Sequence, residues 1–389
     1  MPPDSTLGIR GEDMCIDPQI RQDFPELQRV VHLNSAAMSL MSRRAREAVS
    51  RALTDREYTS EQRTEIRLAR AFEARRQIAD MIHASVEDLC IVTNTSEGLN
   101  IVAQGLDYKV GDKVVLVGTE FYGNIIPWLN LAGKGVHVAR VDSRYGQDPT
   151  ERILAAVDDR TRVLTISFVN WVDGIRVDVA KIGEFCRNKD IVFVVDGIQG
   201  TGVMEIDVSS SHVSFLSCGA QKWLMSPNGT GFIYVDKALQ SRLRQNHVGY
   251  LSVIEGPDYF DSFRIVPRKN AERFRIGSIS DIGIAAMGES LKLIRISTVP
   301  CIQKHVIGLN QYAAEKVAEM GFAPVHTLSP ENMSGILTFH GKNMVEIYRR
   351  LIRNGIVVSL RNGWIRISPH LYNTRDDIDR MLEVLKKPA

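Results

Sequence analysis

The chain holds 389 residues, 44% of them apolar, enough to bury a large core and to divide into one large domain with a smaller one beside it. Lys and Arg number 48 against 46 Asp and Glu, and the formal charge of +2 gives no electrostatic reason to expect nucleic acid or a membrane surface as the main partner. The N-terminus, MPPDSTLGIRGEDM, carries acids early and no apolar run, and no later segment approaches the ~20 apolar residues that span a bilayer, so neither a signal nor a membrane segment is expected.

Residues 1–32 read as a lightly structured arm, because Pro, Asp and Arg alternate there without sustained periodicity before VVHLNSAA opens the compact part. Two helices are predicted between 43 and about 85, in RRAREAVSRALTDREY and IRLARAFEARRQIADMIH, where apolar residues recur at three-and-four spacing. Short apolar runs then alternate with helical patterns: DLCIVT, KVVLVG, GVHVARV, RVLTISFV, DIVFVVD and SFLSC, with VAKIGEFCRNK among the intervening helices. That alternation predicts a mainly parallel, doubly wound α/β sheet. After GTGFIYV and a long helix near 284–297 come GILTFHG, a helix in NMVEIYRRLIRNG, strands IVVSL and WIRIS, and a final helix from Asp376. This βαββα run suits a small α+β domain, which divides the chain into 1–32, 33–285 and 286–389.

Three segments carry chemistry. In SFLSCGAQKWLMSPNGTGFIYV, residues 214–235, the lone Lys222 follows a strand between apolar runs that would desolvate it and lower its pKa, as a Schiff-base amine needs; a surface turn with an incidental lysine is the plainer account. IVFVVDGIQG runs four β-formers into Asp196 at the carboxyl end of a buried strand, where open α/β sheets bind ligands and where an acid can pair with a protonated pyridine nitrogen. An Asp that merely caps the following turn is the alternative. TNTSEGLN, residues 93–100, puts Thr95 and Ser96 where a strand gives way to a helix, a phosphate-binding arrangement that is also compatible with a simple N-cap by either residue.

Taken in order, these segments resemble the class V aminotransferases, fold type I enzymes dependent on pyridoxal 5′-phosphate (PLP) that include cysteine desulfurases, selenocysteine lyases, kynureninase and isopenicillin N epimerase. The likeness runs from VVHLNSAA to the C-terminal helix. It implies a mainly parallel seven-stranded sheet between helices, a small C-terminal α+β domain, and a cytoplasmic homodimer acting on an amino acid. By motif it makes Lys222 the Schiff-base lysine, Asp196 the pyridine-nitrogen partner and Gln199 a donor near the ring hydroxyl. Asn170 in ISFVNWVDG is then the asparagine near the ring oxygen, Thr95 and Ser96 hold the phosphate, and Ser217 adds a phosphate contact. Tyr122 in TEFYGNIIPW falls where relatives place an aromatic or His over the ring, with a core tyrosine as the alternative. Arg366 in WIRISPHLYNT matches the clamp on the substrate α-carboxylate, with Arg361 as rival or helper. Ser278 in ERFRIGSIS matches the residue that reaches the phosphate of the neighbouring subunit.

The departures bear on the reaction. Many relatives have His before the lysine where this chain has Gln221, and Ser three residues before it where this chain has Gly219, so Lys222 itself becomes the proton shuttle. The five cysteines, Cys15, Cys90, Cys186, Cys218 and Cys301, are odd in number and never spaced CxxC, which argues against a disulfide framework or a structural zinc site and suits a reducing cytoplasm; no metal site is expected. No cysteine follows Cys301, so the sulfur-accepting cysteine of desulfurases is missing near Arg366, and Cys218 reads as a packed hydrophobe. Arg275, where relatives often have Glu, either delivers positive charge towards a partner's site or forms a surface ion pair. The resemblance favours elimination at the β-carbon of a cysteine-type amino acid, a carbon–sulfur lyase reaction. Transamination, epimerisation and decarboxylation use the same core, and a non-catalytic PLP-binding protein is the alternative from another class.

Overall fold

The computed structural model describes residues 16–57, 59–254, 265–325 and 330–386. Its centre is a seven-stranded sheet built from β2 (Leu89–Val92), β3 (Lys113–Val117), β4 (His137–Val141), β5 (Thr161–Ser167), β6 (Val192–Asp196), β7 (Phe215–Gly219) and β8 (Gly231–Val235). Their order is β2-β8-β7-β6-β5-β3-β4. All neighbours pair in parallel except β8, which is antiparallel to both β2 and β7. The predicted α/β sheet is therefore present, with seven strands.

Because successive strand residues point to opposite faces, each strand feeds two cores. Val115, Val117, Leu164, Ile166, Phe193, Val195 and Leu216 pack on one face, while Val114, Leu116, Val163, Val192, Val194 and Phe215 pack on the other. Both faces are covered, which is why these segments read as continuous apolar runs rather than alternating ones. Strand β4 is partly exposed, as befits an edge.

The second sheet is small and antiparallel, in the order β12-β13-β10-β9, from β9 (Ala323–Pro324), β10 (Leu337–His340), β12 (Ser359–Arg361) and β13 (Trp364–Ile367). Helices Met344–Arg353 and Arg375–Lys386 pack with it around Phe339, Leu351, Ile365 and Ile378. One helix went unread in the sequence: Val299–Glu319, separated from Asp281–Ser297 only by Thr298. Thr298 adopts φ 58° and its side chain caps the next helix, which has proline in its first turn, so two helices meet without a loop to announce them. Helix Asp281–Ser297 runs unbroken through 285–286, where the sequence suggested a boundary, and we propose that the division falls at Thr298.

One further expectation changes. From Ile16 onward the N-terminal segment is packed, with Ile16, Ile20, Phe24 and Leu27 buried against the large core and β1 (Val31–His32) paired in parallel with β11 (Ile356–Val357). Its apolar residues sit in 3-10 turns led by Pro18 and Pro25, whose spacing matches neither a helix nor a strand period. Residues 1–15 of the expected arm lie outside the described residues. Among the cysteines, Cys90, Cys186 and Cys218 are free and buried, and Cys301 is disulfide-bonded. Among the described residues no helix is long and apolar enough to cross a membrane.

Candidate active site

The chain positions its polar residues at one end of the sheet. Ser167, Asp196 and Ser217 are register partners across β5, β6 and β7, so the last residues of β5 and β6 stand beside the middle of β7, with Asp196 between the other two. The turn after β7 carries Lys222, the segment after β5 carries Asn170, and the helix after β2 starts at Thr95. These are the carboxyl ends of the strands, where loops of a parallel sheet converge.

Lys222 is half-buried. Burial lowers its pKa to about 8, opposed by the carboxyl of Asp196 and reinforced by Arg366 and Arg361. The turn that holds it is fixed from three directions. Ser39 N donates to Gln221 O at 3.2 Å, the Trp223 indole donates to Gln199 Oε1 at 3.2 Å, and His370 Nε2 donates to Trp223 O at 3.0 Å. Asp196 is buried and accepts from Ile198 N at 3.1 Å; desolvation raises its pKa to about 6, the backbone bond and Lys222 acting against that rise. The capping alternative is thus realised together with the Lys222 interaction. Gln199 donates from Nε2 to Ala36 O at 3.0 Å, so its amide is anchored at both ends.

Helix Thr95–Gly105 is capped by Asn94, whose side chain accepts from Glu97 N at 2.9 Å, rather than by Thr95 or Ser96. Both hydroxyls therefore sit in the first turn, beside backbone N–H groups. Thr95 Oγ1 accepts from Gly219 N at 2.9 Å, which leaves its own O–H free to donate, and Ser96 is exposed. Ser217 is fully buried and its hydroxyl donates to Thr95 O at 2.9 Å, so it fastens this helix to β7 and is not aimed at a phosphate. The approach is close enough to demand glycine at 98, where a Cβ would lie 2.2 Å from Ser217 Oγ.

Asn170 bridges two turns, donating to Thr119 Oγ1 at 3.2 Å and accepting from Val172 N at 2.8 Å. Tyr122 is 67% exposed. The ring facing Lys222 belongs to its neighbour Phe121, whose centroid lies 5.9 Å from Nζ and which packs edge-on against Trp171 at 5.5 Å. The motif located the aromatic to within one residue, and only the turn geometry decides which of the two faces inward.

Arg366 on β13 is 1% exposed, and its Nη1 donates to Trp171 O. Nε and Nη2 are buried with no hydrogen-bond partner, as is Nε of Arg361. Burial and Arg361 together push the pKa of Arg366 down. A desolvated guanidinium with two open donors is an anion seat, since such a group is costly until a carboxylate fills the fork. Two expected residues lie apart from this cluster. Arg275 is buried in an ion pair with Glu272 at 3.0 Å, on which Arg75 also converges at 3.5 Å, so its charge is spent within its own chain. Ser278 is exposed, with its hydroxyl 2.7 Å from Tyr250 Oη.

Sequence reasoning missed Glu120, His370 and Trp171. Glu120 is a buried carboxyl three residues past the end of β3, in a segment that like Asp196 follows a buried apolar run. His370 and Trp171 had no motif of their own, because their roles depend on chain regions far apart in sequence.

An amine held near neutrality, a buried carboxyl at a strand end, a flanking aromatic ring and hydroxyls on a helix N-terminus fit PLP. The comparisons with known proteins agree with that chemistry. The chain is 29% identical to a probable cysteine desulfurase of Methanothermobacter thermautotrophicus, over 95% of this chain and 97% of the relative. It superposes on an apo cysteine desulfurase from Thermococcus onnurineus NA1 with TM-score 0.87 and 21% identity, covering 97% and 98% of the two chains. It also superposes on the cystine C-S lyase C-DES in complex with cysteine persulfide, with TM-score 0.86 and 20% identity, covering 92% and 98%. The class-V aminotransferase family pattern matches residues 31–381, and the chain belongs to that family.

Proposed function

We propose that this protein is a PLP-dependent carbon–sulfur lyase that acts on a cysteine-type amino acid. The observation that carries the reading is the placement of a pKa-lowered Lys222 between Asp196 and a buried Arg366 with two open donors. When bound, PLP supplies an electron sink for the pair left at the substrate α-carbon. Asp196 would hold the proton on the ring nitrogen, Phe121 would lie against the ring, and Thr95 with Ser96 would receive the phosphate. Arg366 seats the α-carboxylate, and Lys222 Nζ takes the α-proton as the sulfur departs from the β-carbon. No residue after 301 is cysteine, and Cys218 is pushed up to about 12 by burial, so the sulfur leaves with its own fragment instead of passing to an enzyme thiol. The same reading has the protein as a cytoplasmic homodimer in which Ser278 and Tyr250, exposed here, face a second copy.

The test is to supply PLP, trap any Lys222 adduct with borohydride, and offer cystine, cysteine and cysteine S-conjugates without an amino acceptor. Release of pyruvate and ammonia supports the lyase; turnover only with a keto acid present identifies an aminotransferase instead, and no adduct defeats the cofactor assignment. Two further results are expected. Because the free amine of Lys222 is the proton acceptor and its pKa is lowered to about 8, kcat rises with pH through about 8 and falls tenfold per unit below it; a flat profile from 6 to 9 would remove Lys222 as the base. Phe121→Leu weakens PLP retention by about fivefold, roughly 1 kcal/mol for the lost ring face, whereas Tyr122→Leu leaves it unchanged in equilibrium dialysis. The reverse ranking would restore Tyr122 to the ring.

A further inference from the structure

Beside the ring site stands a second buried carboxyl with no task in the mechanism above. Glu120 Oε1 accepts from Ser167 N at 2.8 Å, and its Oε2 accepts from the Ser167 hydroxyl and from Asn124 Nδ2 at 3.1 Å. Asn124 is itself held, its Oδ1 accepting from Trp128 Nε1 at 3.0 Å and Thr165 Oγ1 at 2.7 Å, so its amide can only present N–H to Glu120. The two N–H donors favour the ionised carboxylate, while the Ser167 hydroxyl can donate to that form or accept from the protonated one, so the pocket accommodates both. Yet no Lys or Arg pairs with Glu120 among the described residues.

Ser167, which Glu120 grips through both backbone and hydroxyl, is the register partner of Asp196, and Phe168 N donates to Asp196 O at 2.9 Å. Two carboxyls thus lean on one strand pair. Burial raises both, Glu120 to about 7 with Asp196 a lesser cause, and Asp196 to about 6. The other ionisable groups facing the pair are Lys222 after β7 and Cys218 on β7. Like charges buried together are costly until a cation joins them.

We propose that Glu120 is a positioning residue for the cofactor: with Asp196 it forms a two-carboxylate seat that selects the ring-protonated form of PLP. The inference rests on the PLP reading of the site. Glu120 would act through Ser167 and through its field on Asp196, adding negative charge beside the carboxyl that would hold the ring nitrogen.

The test compares wild type, E120Q and S167A in two measurements. The first is PLP affinity from pH 6 to 8.5 by equilibrium dialysis. E120Q is expected to bind PLP about tenfold more weakly at pH 8, one pKa unit's worth of ring-nitrogen stabilisation, with a flatter pH profile. S167A keeps the charge but removes a donor, so its affinity at pH 8.5 stays near wild type while the break in its profile moves up. The second is thermal stability of the apoprotein. A carboxyl whose folded pKa is raised holds its proton in the native state, so its stabilising contribution is present at low pH and fades as pH rises from the usual carboxyl range through about 7. Wild-type apoprotein therefore loses stability over that window and E120Q loses less.

If both variants match wild type in the affinity profile, the inference is overturned; if E120Q does not fold, an S167A profile identical to wild type overturns it alone. Wild type that forms no PLP adduct at Lys222 sinks the cofactor reading instead, while the apoprotein stability window still reports whether Glu120 and Asp196 are coupled.

Discussion

Lys222→Ala is expected to lower turnover of a cysteine-type substrate by about 10³-fold, within the span that a positioned acid–base group contributes. On the proposed reading the variant loses two things at once: the amine that attaches the cofactor and, among the described residues, the only amine at the sheet end that can carry the α-proton. Gln221, directly before it, cannot substitute, because an amide has no accessible proton affinity near neutrality. Nor can Cys218, whose thiol is buried and whose pKa is raised to about 12. Lys222→Arg separates charge from nucleophilicity. It preserves a cation beside Asp196 yet stays protonated, so it should be as inactive as the alanine variant while keeping the apoprotein closer to wild-type stability. The measurements are pyruvate release under single-turnover conditions and mass analysis after borohydride reduction. Residual activity within tenfold of wild type in Lys222→Ala, or an adduct on another lysine, would move the chemistry away from this residue.

How much of this was visible before the structure depends on the range of each interaction. The large sheet was legible because strands buried on both faces leave uninterrupted apolar runs, and Lys222, Asp196, Thr95 and Asn170 were legible because each follows such a run by a few residues. Arg366 was singled out by its motif, but its one hydrogen bond, from Nη1 to Trp171 O, joins it to the segment after β5, and that Nε and Nη2 stay open is visible only in the fold. Choices within one residue were beyond the sequence: Phe121 rather than Tyr122 faces Lys222, and Asn94 rather than Thr95 caps the helix, because the backbone of a short turn decides both. Ser217 shows another limit. The family resemblance implied a phosphate contact there, yet helix Thr95–Gly105 lies so close on β7 that its hydroxyl is taken up by Thr95 O. Arg275 was ambiguous because Glu272, three residues away, pairs with it in the chain interior, where no periodicity marks burial.

Arg366 carries the second large effect, and here activity and stability are expected to move in opposite directions. A buried guanidinium with two unmet donors, lying near Arg361, burdens the folded protein without substrate, and that cost is recovered when a carboxylate occupies the fork. Arg366→Ala should therefore reduce kcat/KM by about 100-fold, the lower part of the 2–5 kcal/mol seen when a buried charge pair loses one partner, and chiefly through KM. The apoprotein should melt no lower than wild type, and higher if the space left by the side chain collapses. Arg366→Lys keeps the charge but loses the fork, so it should recover only part of the KM. Arg361→Ala is the control, because its Nε is also buried and open while its Nη1 already donates to Leu360 O at 3.3 Å. A loss of less than threefold in Arg366→Ala with a large loss in Arg361→Ala would transfer the α-carboxylate to Arg361. Comparable large losses in both would place the carboxylate between the two guanidinium groups.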